Sequence, residues 1–131
     1  MKEISFRAYD TFSEAWLNDK ISIAMSGDIL FEGKPINTKL KGLEDNIRYM
    51  QYIGLKDKNG KKVYDGDILE IHSKVAHIKT KGAVHYETKV CAFMLDDVVF
   101  KQYIPITQDD EIEVIGNIYQ HSELLKVDKN E

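Results

Sequence analysis

Between Tyr52 and Ile71 the chain reads YIGLKDKNGKKVYDGDILEI, which gathers Asp57, Asn59, Asp65, Asp67 and Glu70 beside Gly60 and Gly66. Oxygen-bearing side chains at this density could hold calcium, cradle a phosphate or close tight turns. A helix-loop-helix calcium loop needs acidic oxygens at alternate positions, glycine at the sixth and glutamate at the twelfth. Counted from Asp57, Asn59 is third, but Lys61 is fifth, Lys62 sixth and Ile68 twelfth, and Lys58, Lys61 and Lys62 would repel the cation. No G-x-x-x-x-G-K-[ST] order is present either. The stretch therefore reads as turns. Asn59-Gly60 is the signature of a type I′ hairpin, with positive φ at both residues. Asp65-Gly66-Asp67 makes a second turn, with Asp65 or Asp67 accepting from backbone amides.

The remaining chemistry-bearing residues give no constellation. His72, His77, His85 and His121 raise the question of a metal, because adjacent strands lie about 5 Å apart. No H-x-H or C-x-x-C element supports one, and they read as exposed strand histidines. Cys91 and His85 are separated by about 20 Å on a straight strand, too far for a dyad. No G-x-S-x-G elbow occurs, and Asp96-Asp97 and Asp109-Asp110 read as polar turns. No catalytic residue, metal, cofactor or small-molecule substrate is expected. Lys56, Lys58, Lys61 and Lys62 lie near Tyr49, Tyr52 and Tyr64, and a basic groove with aromatic stacking is how small barrels bind single strands. Against this, Arg7 and Arg48 are the only arginines, and guanidinium is the preferred tool for phosphate and base recognition.

The elements that must position these residues are strands. Ile4, Phe6 and Ala8 alternate with Glu3, Ser5 and Arg7, the period of a half-buried strand. Strands are expected at Lys20–Met25 and Asp28–Glu32, joined by Ser26-Gly27 and ended by Gly33, Lys34 and Pro35. Leu43–Met50 reads as a short helical turn. Then come a strand ending at Gly54, the Asn59-Gly60 hairpin, and ILEIH, with Leu69 and Ile71 on one face and Glu70 and His72 on the other. Ala83–Leu95 reads as one long strand whose burial passes from one-sided to two-sided near Cys91. VVFKQYIPI and EIEVIGNIYQ follow as strands, and HSELL closes as a helical turn capped by Ser122.

At 131 residues, 43% hydrophobic and 31% charged, the chain has ordinary globular composition and room for a core. No apolar run approaches bilayer length and the N-terminus has no signal core. A cytoplasmic protein without membrane attachment is expected. Cys91, in an apolar run, is expected to be a buried hydrophobe. The net charge is −4, yet lysines crowd the stretch 33–90 while both flanks are acidic. Such a dipolar surface suits pairing with itself or with a charged partner.

ISFRAYD at the start, MQYIGLKDKNGKKVYDGDILEI in the middle and EVIGNIYQHSELL at the end together resemble the YopX family of small phage and prophage proteins. The likeness runs in order over nearly the whole chain, is clearest at Met50–Ile71 and Glu113–Leu125, and is faint from Thr11 to Arg48. It implies a β-rich fold containing a small SH3-like barrel, and it brings no assigned activity and no catalytic residues. The expected architecture is mainly β with little helix: an N-terminal β-rich extension over 1–48 and a small β-barrel over 49–131. The expected function is that of a phage-encoded accessory protein in the bacterial host cell. It would be non-enzymatic, acting by protein contact or as a homo-oligomer, with Trp16 in the self-association surface. The second reading is a nucleic-acid-binding barrel in phage gene control, contacting phosphates through Lys56, Lys58, Lys61 and Lys62. An enzyme ranks last.

Overall fold

A computed structural model of the chain describes residues 3–17, 21–23, 26, 29–31, 34–35, 46–73, 77–108 and 110–126. These are mostly antiparallel strand with hardly any helix, as the alternating patterns imply. They divide into two compact units, Ser5–Gln51 and Met1–Ile4 with Tyr52–Glu131.

In the smaller unit β1 (Phe6–Asp10) pairs with β2 (Ala15–Trp16). β3 (Ile21–Ile23), β4 (Ile29–Phe31) and β5 (Lys34–Pro35) form an antiparallel sheet, so Lys34-Pro35 does not merely break a strand but returns along it. β6 (Ile47–Lys56) pairs through its first half with β1. The helical turn expected over Leu43–Met50 is corrected for Ile47–Met50, which begin β6; residues 43–45 lie outside the described residues. Pairing with β1 buries Ile47 and Met50, and that burial outweighs the local helical bias.

The larger unit carries β7 (Lys62–Tyr64), β8 (Asp67–Ser73), β9 (Ile78–Glu87), β10 (Ala92–Asp97), β11 (Gln102–Pro105) and β12 (Glu111–Asn117). The second half of β6 pairs with β7, and the other five form a sheet in the order β11-β10-β9-β8-β12. Alternation sends Leu69, Ile71, Val84, Leu95 and Ile112 to one face, where Ile53 and Val63 close over them. Glu70, His72, Lys79, Glu111 and Glu113 take the other face, in the register His72↔Lys79, His72↔Glu111 and Glu70↔Glu113. The sheets curl around this core as a half-barrel.

The long strand expected over Ala83–Leu95 is two strands. β9 ends at Glu87, β10 starts at Ala92, and Thr88–Cys91 turn between them. Cys91 is accordingly exposed rather than buried, with φ 52°. The apparent change of burial along one strand was the chain crossing a turn that contains no glycine, asparagine or proline.

That turn recurs. The pairs Asp10↔Ala15, Glu87↔Ala92 and Asp97↔Gln102 each enclose a four-residue loop, and the loop's last residue is left-handed: Glu14 (φ 58°), Cys91 (φ 52°) and Lys101 (φ 56°). His77 (φ 55°) has the same place, directly before Ile78, the partner of Ser73. These are the positive-φ non-glycine residues among those described. Four-residue hairpin loops built on a type I turn need such a final residue to rejoin the strand.

β12 is closed by a different device. Gly116 sits at a bulge opposite Ile68, and a Cβ there would stand 2.8 Å from His121 Cβ and 2.8 Å from Nδ1. His121 Nδ1 accepts from the Asn117 amide at 3.1 Å, and the His121 amide donates to the Asn117 carbonyl at 2.9 Å. A single 3-10 turn, Ser122–Leu125, follows beside β9. The expected Ser122 cap is corrected: His121 is the N-cap residue and no side chain caps the turn.

A left-handed conformation costs an L-residue about 1–2 kcal/mol, offset in glycine by its greater freedom when unfolded. Lys101→Gly is expected to be neutral or to stabilise by up to about 1 kcal/mol, and Lys101→Val to destabilise by about 1 kcal/mol or more, as read by urea unfolding. Equal destabilisation by both substitutions would contradict the turn assignment.

Candidate interaction surfaces

The hairpin after β6 is built around one carboxylate. The Asp57 amide donates to the Lys61 carbonyl at 2.7 Å and the Gly60 amide to the Asp57 carbonyl at 3.0 Å. Gly60 has φ 81° while Asn59 keeps negative φ, so this is a three-residue loop, a type I turn followed by a left-handed glycine, and not the expected type I′ turn. Asp57 decides the difference. Its Oδ1 accepts the amides of Asn59 and Lys61, both at 2.9 Å, and its Oδ2 accepts the amide of Val114 on β12 at 3.0 Å. The Lys58 amide adds a bond to the Ile112 carbonyl at 2.8 Å. Burial pushes the Asp57 carboxyl up, but the amides of Val114, Lys61 and Asn59, with the Lys61 ammonium, outweigh it and hold it below the ordinary carboxylate value. At the second turn Gly66 has φ 87°, and Asp67, the first residue of β8, accepts the Tyr64 amide at 2.8 Å. Asp65 stands in the turn itself.

The four candidate lysines share this edge but not one role. Lys58 is 3.5 Å from Glu113. Lys62 is 2.9 Å from Glu3 and lies over the Tyr52 ring, 5.2 Å from its centroid; the Glu3 hydrogen bond raises its pKa. Lys56 and Lys61 are exposed. A 550 Å³ cleft opens beside them, lined by Tyr52, Lys56, Lys58, Asp110, Glu111 and Ile112 among others.

Trp16 is half-exposed within its own unit. Tyr9 meets its edge at 4.9 Å and the Arg7 guanidinium lies 4.8 Å from its ring centroid. The histidines are dispersed in role: His72 is 3.7 Å from Glu111, His85 stacks on Tyr103 at 5.5 Å, and His121 locks Asn117. Among the described residues no group of three or more His, Cys, Asp or Glu is placed to hold a metal, and no helix is long and apolar enough to cross a membrane.

Sequence reasoning missed the hairpin tips. Asp97, buried, accepts the Thr80 hydroxyl and the amides of Val99 (2.9 Å) and Phe100 (3.1 Å) on Oδ1. The Val98 amide donates to the Lys81 carbonyl at 3.1 Å. Thus pinned, Val99 and Phe100 stay 40% and 52% exposed. Asp10 does the same for the β1–β2 tip, accepting the Phe12 amide at 2.9 Å and the Ser13 hydroxyl at 2.7 Å. The hydroxyl is the main cause of its lowered pKa, and Phe12 is left 85% exposed. The available signal was an acid at the end of a strand with an apolar residue two or three positions on: Asp10 with Phe12, Asp97 with Val99 and Phe100.

The family model described as YopX protein matches residues 5–126. Two solved structures are similar over 96% of this chain and 100% of theirs, each at 23% identity. They are protein EF1440 from Enterococcus faecalis, with a TM-score of 0.58, and protein YopX from Bacillus subtilis, with a TM-score of 0.57. No curated protein matches the chain.

Removing Asp57 leaves three amides short of an acceptor. Asp57→Ala is expected to cost about 2–4 kcal/mol, and Asp57→Asn, which keeps one acceptor oxygen, about 1–3 kcal/mol. Because the folded pKa is lowered, the contribution is complete above the unfolded value near 3.9 and is lost as pH falls through the lower folded value. Unfolding free energy measured from pH 6 to pH 2 should therefore fall less steeply below about pH 4 in Asp57→Asn than in the parent. Parallel curves would contradict the assignment.

Proposed function

We propose that this chain, which belongs to the YopX family, is a non-enzymatic protein-interaction module that works through the rigid tip joining β10 to β11. One observation carries the reading: the buried Asp97 carboxylate holds Val99 and Phe100 in solvent. Single exposed apolar residues are ordinary. What distinguishes these is what holds them, a carboxylate 1% exposed whose Oδ2 has no partner among the described residues, and the left-handed Lys101. Ordering the tip before contact spares an association that entropy, and aromatic anchors of this kind dominate interface energetics. The resemblance to phage and prophage proteins supports an accessory role in a phage-infected or prophage-bearing bacterium, in its cytoplasm.

Phe12 favours self-association as a second form of the same activity, since it stands 85% exposed on the hairpin that carries Trp16. A nucleic-acid role through Lys56, Lys58, Lys61 and Lys62 is weaker, because Glu113 and Glu3 engage two of the four. Binding to DNA or RNA through this edge would be confined to low salt.

Phe100→Ser should change stability by no more than about 0.5 kcal/mol, as surface substitutions do. Proteins recovered with a tagged chain from the producing bacterium should be lost with Phe100→Ser and kept with Tyr86→Ser, another exposed aromatic. An unchanged set in Phe100→Ser removes the reading. Light scattering on the parent and on Phe12→Ser separates the homo-oligomeric form, which predicts a dimer or larger species that Phe12→Ser reduces to monomer.

A further inference from the structure

Asn59 is the one asparagine of the sequence that precedes a glycine. That dipeptide carries chemistry of its own. The Gly60 nitrogen, with no Cβ beside it to crowd the approach, attacks the side-chain amide of Asn59: the bond from Gly60 N to Asn59 Cγ forms, the Cγ–Nδ2 bond breaks, and ammonia leaves with the proton that the Gly60 amide gives up. Water then opens the cyclic imide at either carbonyl, leaving aspartate or, with the backbone rerouted through Cβ, isoaspartate. Nothing steric opposes this at the hairpin. Lys58, Asn59, Gly60 and Lys61 are all exposed, and a Cβ built on Gly60 meets no atom within 4 Å.

What restrains the reaction is the loop built on Asp57. That residue accepts three consecutive amides, Asn59 and Lys61 on Oδ1 at 2.9 Å each and Gly60 on its carbonyl at 3.0 Å. The nucleophile of the cyclisation is therefore the middle donor of the three, and an acceptor already holds its proton. Ring closure also requires the Asn59 Cβ and the Gly60 nitrogen to come close to eclipsed about the Cα–C bond. Asn59 is the second central residue of a type I turn, where a ψ of about 0° sets the two apart. Rotating the Asn59–Gly60 peptide into place takes the Gly60 amide off the Asp57 carbonyl. The anion formed as Gly60 gives up its proton would also stand beside the buried Asp57 carboxylate, a like charge.

We infer that Asn59-Gly60 is a deamidation site latched by Asp57: the folded hairpin preserves the asparagine, and each conversion requires the loop to open first. The change runs one way. Isoaspartate adds a methylene to the backbone between the two amides that share Asp57 Oδ1, so the converted loop no longer fits the carboxylate, and the bond from that carboxylate to Val114 on β12 is loosened with it. The inference does not rest on the β10–β11 tip.

The test follows the Asn59 peptide by mass spectrometry after incubation of the whole chain in mildly alkaline buffer, where the change of amide to acid marks conversion. The reference is the blocked peptide Asp-Lys-Asn-Gly-Lys-Lys, the sequence of residues 57–62. The folded parent should convert at least about tenfold more slowly than the peptide, and in denaturing guanidinium chloride within about threefold of it. Asp57→Ala should convert at least about fivefold faster than the parent, whereas Lys101→Val, which loosens a different hairpin, should stay within about twofold. Circular dichroism establishes that each variant is folded; if Asp57→Ala is not, the folded and denatured rates of the parent decide. A folded parent that converts at the peptide rate, a folded Asp57→Ala that converts no faster than the parent, or equal acceleration by Lys101→Val would overturn the inference.

Discussion

The carboxylate of Asp57 takes three backbone amides, two from its own loop and one from β12 more than fifty residues away. The need it meets is general to a chain made of hairpins: where a ladder ends, loop amides lose their strand partners and must find another acceptor. Asp10 meets it for Phe12 and Ser13, Asp97 for Val99 and Phe100, and Asn117 for Tyr119 and Gln120. Asp67 accepts from Tyr64, and Thr80 donates to Asp97. These six are the buried polar residues among those described, and each closes or braces a turn. The apolar core of Leu69, Ile71, Val84 and Leu95 supplies the driving force for collapse. Buried acceptors stand where β1, β6, β10 and β12 end, at Asp10, Asp57, Asp97 and Asn117.

The parts of this arrangement that were legible in the sequence are those whose signals are local. Leu69 and Ile71 opposite Glu70 and His72 lie as their alternation requires, because the period of a strand is short and unaffected by distant partners. Positive φ at Gly60 follows from the Asn59-Gly60 pair. The loop type did not, since it turns on the Asp57 carboxylate, whose Oδ1 takes the amides of Asn59 and Lys61 while its Oδ2 takes the amide of Val114 on β12. The turn at Thr88–Cys91 was hidden because its left-handed residue is a cysteine, where glycine or asparagine would have marked it. Cys91 looked buried for the same reason: a run of apolar letters reads as a core strand unless something announces the bend. The β-strand at Ile47–Met50 was obscured because its partner, β1, lies some forty residues earlier.

The same constraint links fold to the proposed activity. A loop that satisfies its amides internally need not be polar at its tip, so Val99, Phe100 and Phe12 can face water without loosening the hairpins that carry them. The β10–β11 tip thus offers contact area held in one geometry before any partner arrives.

The claim that buried carboxylates and amides hold these loops is tested most directly by native-state hydrogen exchange at the donating amides. The account predicts that Asn59, Lys61, Val99, Phe100 and Tyr119, although in turns, exchange at least about a hundredfold more slowly than in an unstructured peptide, an opening free energy near 2.7 kcal/mol. It also predicts that Asp97→Ala removes the protection at Val99 and Phe100 while that at Asn59 and Lys61 persists. Exchange of these amides at peptide rates in the parent protein would show that the loops are open to water, and would contradict it.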